Sequence, residues 1–152
     1  MAGITHRVGI KAPITKVYAA IATVEGVAAW WSKEASGVST PGGAIELVFN
    51  TLAGETIGVI KFEVITLQPD KKVHWRFITG PEEWLTTSAS FDLTQDGDYT
   101  IVMFNHRDWA ESGEFMAHCN MKWGTFLMSL KMLVETGQGR PSPDDVKIDN
   151  WN

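Results

Sequence analysis

The stretch HCNMKWGTFLMSLKMLVETG, residues 118–137, decides the fold. Apolar side chains recur along it at helical spacing, which predicts one long helix with a wide apolar stripe. Gly137 is a typical residue for a helix end, and Asp108 with Glu111 fits a capping box near the helix start. A stripe of this width must lie against another part of the protein. Its members are Met116, Cys119, Trp123, Phe126, Leu127, Leu130, Leu133 and Val134.

The chain before this helix is dominated by short β-type runs separated by turn signals. Residues 4–10 alternate as in a strand, and two short helices follow, the first opened by Pro13 and the second ending near Trp31. SGVSTPGG, residues 36–43, predicts a loop. Five further strands are expected, joined by linkers too short for crossovers, so neighbouring strands should pair antiparallel. These strands are residues 44–50, 56–65, 72–78, 84–93 and 99–106.

This order of elements predicts an α+β domain with a helix lying on one antiparallel sheet. A two-residue turn at Asp96-Gly97 would pair Leu93 with Thr100, and directly paired residues point to the same face. The other hairpin turns would pair Phe49 with Gly58 and Phe62 with Trp75. They extend one apolar face across the sheet, toward the helix. That face mixes large and small side chains, which fits either a solid core or an open groove. It includes Ile45, Leu47, Phe49, Gly58, Ile60, Phe62, Trp75, Phe77, Leu85, Thr87, Ala89, Phe91, Val102, Phe104 and His106.

Composition limits the class of protein. A chain of 152 residues fits one domain, and a net charge of −5 argues against nucleic-acid binding. The one cysteine, Cys119, excludes an internal disulfide and a multi-cysteine metal site. No nucleotide or zinc motif is present, so we expect neither cofactor nor metal. No segment resembles a signal peptide or a membrane span, which makes the cytoplasm the expected location.

Several phrases, in this order and spacing, resemble the StAR-related lipid transfer (START/SRPBCC) superfamily, which includes polyketide cyclases. Within it, the chain is most similar to the domain of activators of heat-shock-protein-90 ATPase and their bacterial relatives. The resemblance runs from about Gly3 to Pro141 and implies a domain over residues 1–141 followed by a tail, residues 142–152. The matching phrases are KAPITKVYAAI, AWW, KVHWRF followed by GPEEW, HCNMKW and LKMLVETGQGRP.

The resemblance implies a helix-grip fold, in which a curved antiparallel sheet wraps around the long C-terminal helix. In this superfamily the space between sheet and helix commonly holds a small hydrophobic molecule, sometimes with cyclase- or hydrolase-like chemistry. We therefore expect a hydrophobic ligand here and leave enzymatic activity open. The residues expected to line its site are Trp31, Phe62, Trp75, Thr87, Ala89, Phe104, His106, Met116, Cys119 and Trp123.

Two of these residues carry reactive side chains. His106 falls on the inner face, where it either contacts the polar head of a ligand or acts in acid–base chemistry. The alternative is a structural histidine whose nitrogens are satisfied by backbone groups. For Cys119 the expected role is a small buried hydrophobe and not a nucleophile.

The resemblance also raises an alternative function, a protein-interaction module with a co-chaperone or stress-response role. Eukaryotic activators carry an additional N-terminal domain for much of the chaperone contact, and 152 residues leave no room for it, which argues against chaperone activation. The outer face of the sheet supplies a candidate dimer or partner surface, or else scattered exposed residues. These outer apolar residues are Val48, Ile57, Val59, Ile101 and Met103.

Overall fold

Seven antiparallel strands form one curved sheet, and a long helix lies on its inner face, in a computed structural model that describes residues 2–152. This confirms the expected helix-grip fold. The strands are β1 (Ala2–Ile10), β2 (Glu34–Gly37), β3 (Ala44–Asn50), β4 (Thr56–Gln68), β5 (Lys72–Thr79), β6 (Ser88–Asp96) and β7 (Tyr99–Trp109). The helices are α1 (Ile14–Ala22), α2 (Val24–Trp30) and α3 (Glu114–Thr136), with a 3-10 turn at Glu82–Trp84.

The apolar stripe of α3 packs on the sheet as its spacing predicts. Trp123, Leu127 and Leu130 are almost completely buried, and the helix ends at Gly137, whose φ of 89° suits a residue without a side chain. On the other side of the core, the inner-face residues of the central strands are also buried. The hydrophobic stripe on the helix and the apolar face of the sheet therefore form one core.

Strand order in the sheet is β1-β7-β6-β5-β4-β3-β2, so β3 to β7 form the predicted meander and β1 pairs with β7. The register between β3 and β4 is confirmed, with Phe49 opposite Gly58. Between β6 and β7 the register differs by two residues, because Leu93 pairs with Val102 and not with Thr100. A shift of two residues keeps every side chain on its face, so the inner-face assignment holds.

Two irregularities in the ladder between β4 and β5 change the predicted pairing there. Phe62 lies opposite Phe77, where Trp75 was expected, and Val64 lies opposite Trp75. Register shifts occur between Lys61 and Phe62 and again between residues 64 and 66. Because bulges add residues to one strand only, turn lengths alone did not reveal this register.

The predicted start of α3 at Asp108 is wrong. β7 continues to Trp109, which pairs with Ala2 and is buried, and the helix begins at Glu114. Gly113 occupies the N-cap without a capping side chain. The Asp108–Glu111 spacing therefore marks no capping box, because the burial of Trp109 favours continued strand pairing.

Two other boundaries also differ from the prediction. Residues 34–37, partly assigned to a loop, form the edge strand β2 against β3. Residues 84–87 do not belong to β6, since the 3-10 turn ends at Trp84 and β6 starts at Ser88. Leu85 consequently lies 42% exposed and not on the inner face, whereas Trp84 is buried.

The tail, residues 142–152, folds back against α3 and the end of α2. Ser142 forms an isolated parallel bridge with Ser32. Lys122 on α3 donates hydrogen bonds to the Asp145 carboxylate and to the main-chain oxygens of Val146 and Asn152. These contacts hold the tail beside the N-terminal half of α3.

The expected apolar patch on the outer face is divided into two parts. Val48 and Val59 are paired neighbours on β3 and β4, whereas Met103 lies on β7 opposite Asp92 of β6. Polar side chains of β5 and β6, among them Arg76, lie on the strands between the two parts. No helix within residues 2–152 is long and apolar enough to cross a membrane.

A close approach between α1 and α2 requires glycine at position 26. A Cβ atom there would lie 2.4 Å from the carbonyl oxygen of Ala20. We expect Gly26→Ala to lower the free energy of unfolding by ~1–3 kcal/mol, because backbone must move to relieve the overlap. Gly124→Ala is the matched control: its Cβ would be 3.7 Å from the nearest atom, in His6, and helix propensity predicts a gain of up to ~1 kcal/mol. Urea unfolding of both variants measures the difference, and equal stabilities would contradict this account of helix packing.

Candidate ligand pocket

An apolar pocket of about 140 Å³ opens at one end of the space between α3 and the sheet. We call it the α3 pocket. Its floor comes from the inner faces of β3 and β4, its sides from α3 and the 3-10 turn, and its rim from the tail. The lining residues are Trp31, Phe49, Ile60, Trp84, Phe115, His118, Cys119, Lys122, Trp123, Phe126 and Asn152.

Three tryptophans separate the pocket from the solid core. Trp123 of α3 lies between Trp31 at the end of α2, with ring centroids 4.8 Å apart, and Trp84 of the 3-10 turn, stacked at 5.9 Å and 10°. All three are buried to 94% or more, since the most exposed, Trp84, is 6% exposed. Their broad faces form a rigid apolar wall, because each ring also packs against other aromatic side chains.

The structure places three of the expected ligand residues in this pocket, namely Trp31, Cys119 and Trp123. Met116 is half-buried against the core and does not line the pocket. The other six do not reach it, because they pack against each other within the core with at most 1% exposure. They are Phe62, Trp75, Thr87, Ala89, Phe104 and His106. Phe62 and Trp75, for example, stack with centroids 4.1 Å apart. Most of the space between sheet and helix is therefore solid core.

His106 lies in the core with both ring nitrogens satisfied. The indole N–H of Trp123 donates to Nδ1 at 3.1 Å, so Nε2 carries the proton and donates to Oγ1 of Thr87 at 2.8 Å. Thr87 in turn donates to the carbonyl oxygen of Trp84. Burial lowers the pKa of His106 to about 3, so the ring is neutral at physiological pH. Its partners are mainly side chains and not backbone groups, and the arrangement is that of a structural histidine.

Cys119 is a buried thiol in the pocket wall. Burial raises its pKa to about 12, an effect that the nearby Trp84 indole partly opposes. The Trp84 N–H nevertheless makes no hydrogen bond of standard geometry, and it and Trp109 Nε1 are the fully buried side-chain polar atoms without a partner among residues 2–152. A thiol with so high a pKa is a poor nucleophile, so Cys119 acts here as a small apolar side chain.

Some of the lining residues outside the expected set have a signal in the sequence. Phe49 and Ile60 belong to the predicted inner face, and Phe126 to the helix stripe. Trp84 owes its position to the 3-10 turn. The sequence pattern predicted a strand over residues 84–93 instead of this turn. The four others lie at the edge of the stripe or in the tail, outside the pattern: Phe115, His118, Lys122 and Asn152.

His118 is the polar side chain at the pocket whose second ring nitrogen is free. Nδ1 donates to the carboxylate of Asp149 at 2.7 Å, and the hydrogen bond holds the pKa of Asp149 below its ordinary value. Nε2 has no hydrogen-bond partner among the described residues, and the side chain remains 12% exposed. Phe115 stacks on the ring and Trp151 contacts its edge, so the orientation of the imidazole is fixed on three sides.

The charge of Lys122, also at the pocket, is compensated by the tail. Burial alone raises the pKa of Asp145, but hydrogen bonds from Lys122 and Lys147 outweigh it, and the net pKa lies below the ordinary value. Asp145 is therefore ionised beside Lys122. No group of three or more His, Cys, Asp or Glu side chains that could hold a metal ion is present in the described part of the chain.

Comparison with known proteins identifies the family. The model for "Activator of Hsp90 ATPase homolog 1-like protein" matches residues 11–135. The chain belongs to this family. A relative from Colwellia psychrerythraea, solved in solution as an Aha1 dimer, is 40% identical over 91% of this chain and 100% of its own, with a TM-score of 0.78. No match was found among curated proteins.

More distant solved structures share the fold. CalU16 from Micromonospora echinospora is 20% identical, covering 93% of this chain and 77% of its own, with a TM-score of 0.71. DynU16, a putative protein of the dynemicin biosynthetic locus, is 21% identical, covering 90% and 48%, with a TM-score of 0.71. At this level of identity the likeness concerns the fold of this family member and not its ligand.

The neutral, buried state of His106 predicts a pH dependence of stability. The folded pKa, about 3, lies below the ordinary value of 6.5, so the unfolded chain binds the proton more readily. Stability is therefore complete above pH 6.5 and is lost as the pH falls from 6.5 toward 3. Between pH 6.5 and 5, where most carboxylates stay ionised, the loss from this residue should be ~1.5 kcal/mol.

Urea unfolding of the wild type and of His106→Gln across this pH range measures the effect. The variant lacks the titrating ring, so its stability should change less with pH, even if its stability at neutral pH is lower. Equal slopes for the two proteins would show that His106 does not stay neutral in the folded state.

Proposed function

We propose that the protein binds a small, neutral, apolar molecule in the α3 pocket. The observation that supports this most directly is the pocket itself, an open cavity walled by Trp31, Trp84 and Trp123 in an otherwise solid core. Apolar cavities with a few polar groups are the usual form of small-molecule sites. The family fold, which is shared with polyketide cyclase-like proteins, agrees with this role.

The volume of the pocket limits the size of the ligand. An engineered cavity of roughly 150 Å³ accommodates benzene, so about 140 Å³ holds one aromatic ring or an alkyl group of similar size. Larger ligands would place one such group inside and leave the remainder at the rim. At ~24 cal/mol per Å³, an empty apolar space of this size costs up to ~3 kcal/mol, which a bound ring would offset.

The polar surroundings favour a neutral ligand. The Cys119 thiol is protonated, and the ammonium group of Lys122 already has Asp145 and two main-chain oxygens as partners. An anionic ligand would have to compete with Asp145 for this ammonium group. An uncharged ring does not compete with Asp145 for the ammonium group, and its binding is stabilised by contact with the apolar walls.

We also propose that the protein forms a homodimer through the outer face of α3. Met121, Met128 and Met132 are 61%, 53% and 42% exposed there. With Thr125 they recur at intervals of four, three and four residues, the spacing of a helix–helix seam. They border a groove of about 310 Å³ between α3 and the tail. A second copy is the occupant we favour over a chaperone, because the 40% identical Colwellia protein is a dimer.

Opposite changes at Cys119 test the pocket. Cys119→Leu adds side-chain volume to the apolar space and should weaken binding of toluene at least ~10-fold, with folding stability unchanged or higher. Cys119→Ala enlarges the space and should keep toluene binding within a few-fold of the wild type. Calorimetric titration with toluene measures both. Equal affinities in the two variants, or no binding to the wild type, would place the ligand site elsewhere or remove it.

The dimer is tested by comparing charges on two surfaces. Met128→Glu should convert a wild-type dimer into monomers, because an isologous interface would bring two carboxylates into an apolar contact. Met103→Glu, at an exposed methionine on the outer face of the sheet, should leave the dimer intact. Sedimentation velocity gives the masses. A monomeric wild type would exclude the homodimer and leave the chaperone alternative, and dissociation by Met103→Glu alone would move the interface to the sheet.

A further inference from the structure

The geometry points to His118 as the recognition group for a hydroxyl on the ligand, so that the preferred ligand class is a small phenol or similar hydroxylated ring. This inference rests on the proposed function of the α3 pocket and adds the chemistry of its occupant. It depends on the free ring nitrogen Nε2 and on the contacts that orient the imidazole. It also depends on a comparison with the other polar groups at the α3 pocket, which are less suited to bind a hydroxyl.

Nε2 is the ring nitrogen left for a ligand. A carboxylate accepts hydrogen bonds, so Nδ1, 2.7 Å from the Asp149 oxygen, is the protonated nitrogen. A second groove, distinct from the one beside Met128, lies between the start of α3 and the end of the tail. Asp149 lines this second groove and not the α3 pocket, whereas His118 lines both. The Nδ1 edge of the imidazole is thus occupied on the tail side, and Nε2 has no hydrogen-bond partner within residues 2–152.

The imidazole is held in place before any ligand arrives. Phe115, one turn earlier on α3, stacks on it at 6.2 Å and 18°, and Trp151 contacts it at 5.3 Å and 62°. Together with the hydrogen bond that Nδ1 donates to Asp149, these contacts fix the ring from one helix and one tail segment. A fixed acceptor beside an apolar pocket costs little further ordering when a ligand binds, which favours a directional hydrogen bond.

The other polar groups at the pocket are less suited to this role. Lys122 has three acceptors already, the Cys119 thiol is a weak donor, and the Trp84 N–H is sealed from solvent. The side-chain amide of Asn152, also at the pocket, makes no hydrogen bond within residues 2–152 that would hold it in place. A hydroxyl group can donate to Nε2 when the imidazole is neutral and can accept from it when the imidazole is protonated. A carbonyl can only accept, so it lacks a partner at a neutral ring. The hydroxyl is therefore the group that fits both protonation states.

Two probes that differ by one hydroxyl group test the inference. Toluene and p-cresol are titrated into the wild type and into His118→Phe, which keeps an aromatic ring against Phe115 and Trp151 but removes both nitrogens. The measured quantity is the preference for p-cresol, the dissociation constant of toluene divided by that of p-cresol. We expect this preference to fall roughly 3- to 10-fold in His118→Phe, the effect of one neutral hydrogen bond. Toluene affinity should stay within about 2-fold.

His74→Phe is the matched control, because His74 lies on the outer face of β5 and lines none of the walls described above. Its preference for p-cresol should equal that of the wild type. A direct measurement on the wild type accompanies the variants: the ¹⁵N resonance of Nε2 of His118 should shift with p-cresol and not with toluene. This measurement does not depend on the folding of any variant.

The outcomes separate this inference from the proposed function. If toluene binds and the p-cresol preference is the same in the wild type and His118→Phe, the pocket stands and the role of His118 is wrong. If His118→Phe weakens both probes equally, with no selective ¹⁵N shift, the His118–Asp149 pair only anchors the tail. If neither probe binds the wild type or Cys119→Ala, the pocket function itself fails.

Discussion

The structure depends on one side chain, Trp123, which connects the long helix to the sheet. Its indole N–H donates to His106 on β7, and its ring contacts Trp31 and, by stacking, Trp84. These three partners come from three separate parts of the chain. Without the N–H, the Nδ1 atom of His106 would be buried without a partner, a loss of ~1–3 kcal/mol. The contact also orients a series of hydrogen bonds that runs from His106 to Thr87 and from Thr87 to the carbonyl oxygen of Trp84. It therefore positions the 3-10 turn that borders the pocket.

The same side chain separates core from pocket. On the sheet side of Trp31, the rings of Phe62 and Trp75 stack closely and leave no space. Toward the start of α3, the wall contains the small Cys119 and the aliphatic Ile60 among aromatic residues. The pocket therefore lies at the end of the core where the stacked rings give way to the smaller side chains of Cys119 and Ile60.

The sequence predicted the faces of the strands better than their partners or ends. A two-residue register error in β6–β7 leaves Leu93 and His106 on the correct face, because side chains alternate with a period of two. The ends of the elements have no such tolerance. The capping-box pattern at Asp108 did not predict the helix start, because the burial of Trp109 favours a longer strand. The 3-10 turn leaves Leu85 exposed and not on the inner face. The position of the pocket was harder still to predict. It depends on ring-to-ring distances between residues remote in sequence, which periodicity does not contain.

The tail changes the electrostatic character of the pocket. Lys122 lies at the wall with 12% of its side chain exposed, and a free ammonium group there would attract anions and water. Asp145, with 2% exposure, supplies the compensating carboxylate, and main-chain oxygens of the tail accept the remaining protons of the ammonium group. Asp149 acts in a similar way on His118, since it occupies one nitrogen and leaves the other available. Residues 142–152 therefore do more than cover the pocket, because they neutralise the Lys122 ammonium group and orient the imidazole of His118, whose Nε2 is free of partners among the described residues.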